Sequence, residues 1–181
     1  LAAKGIDVIN LSLGEPDFNT PQFIKDAAKK AIDDNYSKYS PVAGFLDLRK
    51  AICEKFMREN GLIYEPNQII VSTGANQSVI NAVLAVVNPG DEVLLPAPYW
   101  VSYYEMVRFA GGIPIEIPAS VENDFKVTVQ QLKTYITHRT KLMMFSSPCN
   151  PSGTVYSRDE LKAMADLIAE YDDFYIISDE I

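Results

Sequence analysis

The sequence predicts an α/β protein of three layers, with helices on both faces of a mostly parallel sheet. Three observations carry that expectation. From residue 69 onward, short apolar runs alternate with helical segments, the pattern of repeated strand–helix–strand units. The run Leu142 to Phe145 is apolar throughout rather than alternating, which suits a strand buried on both faces. That run gives way abruptly to Ser146-Ser147-Pro148-Cys149-Asn150-Pro151-Ser152-Gly153, a turn stiffened where Pro148 and Pro151 fix φ and remove a donor.

In chain order, residues 6–13 (Ile-Asp-Val-Ile-Asn-Leu-Ser-Leu) alternate as a short strand and run into a turn at Gly14-Glu15-Pro16-Asp17-Phe18. Thr20-Pro21 predicts a helix start, with Thr20 as N-cap and proline at the first helical position. Its apolar face is Phe23, Ile24, Ala27, Ala28, Ala31 and Ile32. A loop bearing Tyr36 and Tyr39 follows. A second amphipathic helix then carries Phe45, Leu48, Ile52 and Phe56 and stops near Asn60-Gly61.

Ile69 to Thr73 reads as a strand, and Gly74-Ala75-Asn76 opens a helix to about Val87 that is apolar nearly all round and so expected to be buried. Pro89-Gly90-Asp91 stops it. Strands are expected at Glu92 to Leu95 and Ile113 to Ile117, on either side of a helix that ends at Gly111-Gly112. A helix near Val129 to Ile136 precedes the central strand. Ser157-Arg158-Asp159-Glu160 is a capping box, and its helix delivers the chain into a last strand, Phe174 to Asp179.

Composition narrows the function classes. The chain has 181 residues, enough for a full core, with 48% hydrophobic and 22% charged residues. A formal charge of −8 argues against a nucleic-acid surface and offers no basic stripe for anionic lipid. Two cysteines, Cys53 and Cys149, make no disulfide framework and suit a reducing compartment, so a cytoplasmic location is expected. No apolar run nears the roughly 20 residues that span a bilayer. No metal ligands fall at useful spacing. His138 lies in a polar run expected on the surface, and Lys38, Lys126 and Lys141 are expected to be solvated. The chain begins and ends within its pattern, which reads as part of a longer protein.

In a parallel sheet of this kind, ligands bind beyond the carboxyl ends of the strands. Four places therefore matter: Thr73-Gly74-Ala75-Asn76, Pro98-Tyr99-Trp100, Ser147 to Gly153, and Asp179. Small residues at the start of a helix leave free N–H groups and a positive dipole end for a phosphate; a plain tight turn has the same composition. The Gly-Lys-Ser/Thr ending of a P-loop is missing, which argues against a nucleoside triphosphate. Trp100, the single tryptophan, is either a core anchor or a stacking face for a planar heterocycle. Asn150 either satisfies its own turn or turns its amide outward. Asp179 needs a partner, since an unpaired buried charge is costly. That partner is an arginine, a helix N-terminus, or a protonated ring nitrogen such as that of pyridoxal phosphate. Taken together, these groups suit a phosphorylated, planar, basic heterocycle.

On those residues the sequence resembles the class I (fold type I) pyridoxal-phosphate-dependent aminotransferases, the aspartate-aminotransferase-like enzymes. The motifs are Gly14-Glu15-Pro16-Asp17-Phe18, Lys38-Tyr39-Ser40-Pro41 with Ala43-Gly44, Thr73-Gly74, Pro98-Tyr99-Trp100, Ser147-Pro148-Cys149-Asn150-Pro151-Ser152-Gly153 and Ser178-Asp179-Glu180-Ile181, in family order. The resemblance covers roughly the first half of a member. It implies an N-terminal segment of the small domain or arm with the start of the large domain (residues 1–45), followed by the first part of the cofactor-binding large domain (residues 46–181).

The resemblance also implies roles. Asp179 pairs with the pyridine nitrogen, Asn150 binds the phenolic oxygen, and Trp100 stacks on the ring. Gly74, Ala75 and Asn76 bind the phosphate, and Gly14, Trp100 and Asn150 meet the substrate. Tyr39 reaches the phosphate in the neighbouring subunit of a homodimer. The implied reaction moves an amino group between an amino acid, aspartate by default, and a 2-oxo acid. The Schiff-base lysine belongs to later sequence, so these 181 residues alone are expected to be inactive. Cys149, Ser152 and Asn76 depart from common family residues. The alternatives are a lyase or synthase on the same scaffold, or the effector-sensing part of a transcriptional regulator.

Overall fold

The computed structural model describes residues 4–9, 14 and 18–180, in two compact units, Leu1–Val42 and Ala43–Ile181. In the first unit, residues 6–9 form no strand, and the rest of the expected strand and Glu15-Pro16-Asp17 lie outside the described residues. Helix α1 (Gln22–Asp33) begins one residue later than expected. Pro21 is itself the N-cap, with ψ of 145°, and no side chain caps the helix, so Thr20 does not have the expected role. None of the apolar stripe of α1 is buried.

The second unit opens on α2 (Leu46–Asn60), which ends where Gly61 turns left-handed at φ of 67°. Arg49 on this helix donates to the carbonyls of Gly44 and Pro66, at 3.2 and 2.8 Å, and so ties both flanking loops to it. The strand expected over residues 69–73 does not form. Ile69 is extended, but among the described residues no strand lies alongside, and Val71 N–H bonds the Ala43 carbonyl at 3.1 Å rather than a strand. An extended segment without a partner makes no ladder.

Helix α3 (Ala75–Val86) buries Val79 and Val83, while Leu84 is 49% exposed. The expectation of burial all round is corrected: α3 covers the sheet with one face, and nothing among the described residues covers the other. The remaining elements are β1 (Glu92–Ala97), α4 (Ser102–Phe109), β2 (Ile113–Pro118), α5 (Val129–Tyr135), β3 (Thr140–Ser146), α6 (Arg158–Ile168) and β4 (Tyr175–Asp179). The capping box before α6 forms as expected, Glu160 N–H meeting Ser157 Oγ at 3.3 Å and Ser157 N–H meeting Glu160 Oε2 at 2.6 Å.

The sheet order is β2–β1–β3–β4 and every pairing is parallel. Side chains alternate between two cores. Leu94, Met143 and Phe145 meet α5 and α6 through Leu132, Met164, Leu167 and Ile168. Val93, Leu95, Leu142 and Met144 meet α3 and α4 through Val79, Val83, Tyr103 and Val107. That is why Leu142 to Phe145 reads as an unbroken apolar run. Gly112 allows the close approach of α4, since a Cβ there would stand 2.7 Å from Val87 Cγ1 and 3.1 Å from Val107 Cγ1.

The topology has a functional consequence. The chain passes from β1 outward to β2 and returns across β1 to β3, so the direction of strand addition reverses between β1 and β3. Open parallel sheets bind ligands at such a reversal, beyond the strand C-termini.

Charged residues seal the opposite ends of the strands. Glu92, 4% exposed, accepts from Thr137 Oγ1 at 2.6 Å and from Arg139 Nε at 2.9 Å. The Thr137 bond, then Arg139, holds its carboxyl below the ordinary 4.5, against the opposing effect of burial. A depressed carboxyl stabilises the fold above its unfolded value and loses that contribution as pH falls through the folded value. The protein is therefore expected to lose stability in acid below about 4.5, with a shallower loss in Glu92→Gln, read from urea unfolding at neutral and acid pH. A variant as acid-sensitive as the parent would contradict this. Lys126 and Lys141 are not solvated as expected: Lys126 pairs with Glu160 at 2.9 Å, and Lys141 pairs with Asp173 and lies 5.3 Å from the Tyr175 ring centre. Lysine stems pack readily on such surfaces while their heads find carboxylates.

Candidate functional site

The site grows from the C-terminal ends of β1, β3 and β4. Ser146 at the end of β3 pairs in register with Asp179 at the end of β4. Both share the parity of the residues facing α3 and α4. Ser147 N–H donates to the Asp179 carbonyl at 3.4 Å, the last bond of that ladder.

The turn after β3 is held internally. Cys149 N–H meets the Thr154 carbonyl at 2.8 Å, Gly153 N–H meets the Cys149 carbonyl at 2.7 Å, and Ser147 Oγ accepts from Tyr156 N–H at 3.2 Å. Cys149 Sγ donates to the Pro98 carbonyl at 3.3 Å, which joins this turn to the one after β1 across the reversal. Asn150 N–H donates to the buried Ser146 Oγ at 3.1 Å. The Asn150 side-chain amide is exposed and makes no hydrogen bond among the described residues, so it does not satisfy its own turn.

Asp179 is half-buried, and its partner is neither of the protein groups expected. Tyr103 Oη donates to Asp179 Oδ2 at 2.6 Å, while Oδ1 has no partner among the described residues. Tyr103 is fully buried. Burial, and then the Asp179 carboxylate, push its phenol well above the ordinary value of 10, which keeps it a neutral donor. The Trp100 ring meets Tyr103 edge to face, with centroids 5.6 Å apart at 88°. Trp100 is half-buried against the core that includes α3 and α4, so one part of the ring is anchored and another is open.

Trp100, Asn150 and Asp179 are thus brought to one end of the sheet through Tyr103 and Ser146. Sequence reasoning missed both connecting residues. Tyr103 had a usable signal: it stands four positions before Val107 on the buried stripe of α4, and a buried phenol needs a hydrogen-bond partner.

Gly74, Ala75 and Asn76 form the N-terminal turn of α3, which packs against β4. Gly74 has φ of 81°, and a Cβ there would meet nothing within 4 Å, so the space over the turn is open. Gly74 N–H bonds the Ser72 carbonyl at 3.0 Å and Thr73 N–H bonds Gln77 Oε1 at 2.5 Å, while the N–H groups of Ala75 and Asn76 have no partner among the described residues. Because residues 69–73 are no strand, this is not the strand end expected. Gly14 and Tyr39 belong to the other unit, where Tyr39 is fully exposed.

This arrangement fits pyridoxal phosphate by its chemistry: a carboxylate oxygen for a protonated ring nitrogen, an amide for a phenolic oxygen, an indole face and two free N–H groups for an anion. Parallel α/β topology with loaded strand ends at a reversal defines the class, and the chain belongs to the aminotransferases of class I and II, whose family model matches residues 6–181. Among similar proteins, the aspartate/prephenate aminotransferase of Cereibacter sphaeroides is 52% identical over 181 residues, all of this chain and 45% of the relative. The aspartate aminotransferase of Bacillus sp. (strain YM-2) is 49% identical over all of this chain and 46% of its own length. The solved structure of Thermus thermophilus aspartate aminotransferase with maleate superposes at a TM-score of 0.94 with 46% identity, covering 99% of this chain and 47% of that one. The chain spans about half the length of the curated relatives it matches. Among the described residues, no helix is long and apolar enough to cross a membrane.

Proposed function

We propose that this chain forms the cofactor-binding half of a pyridoxal-phosphate-dependent transaminase that takes an amino group from aspartate and passes it to a 2-oxo acid. The observation that carries the reading is the half-buried Asp179 at the strand reversal, with one oxygen held by Tyr103 and the other without a partner among the described residues. The relatives' names, which pair aspartate with prephenate, support aspartate as donor.

When bound, pyridoxal phosphate supplies a conjugated cationic ring that withdraws electrons from the Cα of the amino acid. Asp179 holds a proton on the ring nitrogen by ion pairing. Asn150 donates its amide to the phenolic oxygen, and Trp100 covers one ring face and excludes water. The free N–H groups of Ala75 and Asn76, helped by the α3 dipole, take the phosphate. Gly14 lies beside the substrate carboxylate, and Tyr39 serves the phosphate of a second subunit, in keeping with its full exposure. A homodimer is part of the proposal. So is a cytoplasmic location, in keeping with two free cysteines.

The test is amino transfer from aspartate to 2-oxoglutarate by the full-length protein with added pyridoxal phosphate. Oxaloacetate formation that depends on the cofactor is expected. Absence of transfer from aspartate or any other amino acid would contradict the reading.

A further inference from the structure

We propose that Tyr103 is a positioning residue that fixes the Asp179 carboxylate by holding Oδ2, leaving Oδ1 as the oxygen committed to the pyridine nitrogen; this rests on the cofactor reading above. A buried core position at 0% exposure is filled equally well by phenylalanine. The hydroxyl is costly there unless it is hydrogen-bonded, and it donates to Asp179 Oδ2 at 2.6 Å.

Asp179 stands at the end of β4, and among the described residues its carboxylate meets the protein through Oδ2. β4 is an edge strand of the described sheet, with Tyr175 49% and Ile176 41% exposed. Tyr103, by contrast, is held on every side. Trp100 packs on its ring at 5.6 Å, Val107 is buried one turn along α4, and Gly112 lets that helix lie close. Ser146, in register with Asp179 across the ladder, receives the Asn150 N–H. A rigid buried donor therefore orients the Asp179 carboxylate.

The experiment compares Tyr103→Phe with the parent in the full-length protein. It measures dissociation constants for pyridoxal phosphate and for its 1-deaza analogue, in which CH replaces the ring nitrogen. A lost charge-assisted hydrogen bond predicts binding of pyridoxal phosphate weakened about tenfold, with the analogue's affinity unchanged. In an Asp179→Asn background, Tyr103→Phe is expected to change pyridoxal phosphate affinity no further. Equal weakening of both compounds would assign Tyr103 to packing alone, and unchanged affinity for both would remove the role altogether. Either result overturns this inference while leaving the cofactor site standing. Failure of the parent protein to bind either compound would overturn the cofactor reading itself. If Tyr103→Phe lowers the unfolding midpoint without folding loss, the analogue's affinity still separates the two roles.

Discussion

Asp179→Asn in the full-length protein is expected to slow amino transfer by about 10²- to 10⁴-fold, because removing one member of a desolvated charge pair costs roughly 3–5 kcal/mol. The substitution keeps the shape of the side chain. Its amide oxygen still accepts from the Tyr103 hydroxyl, the one bond that Asp179 makes with another side chain among the described residues. Folding should therefore survive, and the loss should appear in turnover rather than in the unfolding midpoint. What the amide cannot do is hold a positive charge on the ring nitrogen. Steady-state kinetics beside urea unfolding checks both halves. A variant with parental turnover would remove Asp179 from the chemistry, and one that unfolds would make it a structural residue.

Trp100→Ala is expected to weaken pyridoxal phosphate binding by about 10- to 100-fold, the loss of roughly 1–3 kcal/mol that stacking on a planar heterocycle contributes. Trp100→Phe should recover most of it, since a flat face remains. Trp100 also touches Tyr103 and the core shared by α3 and α4. The alanine variant is therefore expected to lose some stability as well. The two effects separate in the phenylalanine variant, which restores affinity only if stacking is the cause. Equal affinity in all three proteins would leave Trp100 as a core anchor, the other role its sequence position allows.

The parallel sheet was legible because burial on both faces forces continuous apolar runs, and Leu142 to Phe145 feed two cores in alternation. The capping box before α6 was legible because its chemistry is local. Residues 69–73 were misread because strand composition says nothing about whether a neighbouring strand is present. The outer face of α3 was misread for a related reason: an apolar helix surface reports what could cover it, not what does. At the site, the loaded strand ends were visible as breakers and isolated polar residues. Their connection was not, since the Tyr103–Asp179 bond spans 76 positions and only the topology brings its ends together. Cys149 looked like a departure from the family pattern. Its thiol bridges the turns after β3 and β1.

The most direct measurement is a crystal structure of the full-length protein with pyridoxal phosphate. Asp179 Oδ1 should lie within hydrogen-bond distance of the pyridine nitrogen while Tyr103 keeps Oδ2, with Trp100 against the ring face and Asn150 on the phenolic oxygen. A cofactor bound away from the strand reversal, or a ring nitrogen facing any group other than Asp179, would contradict the account.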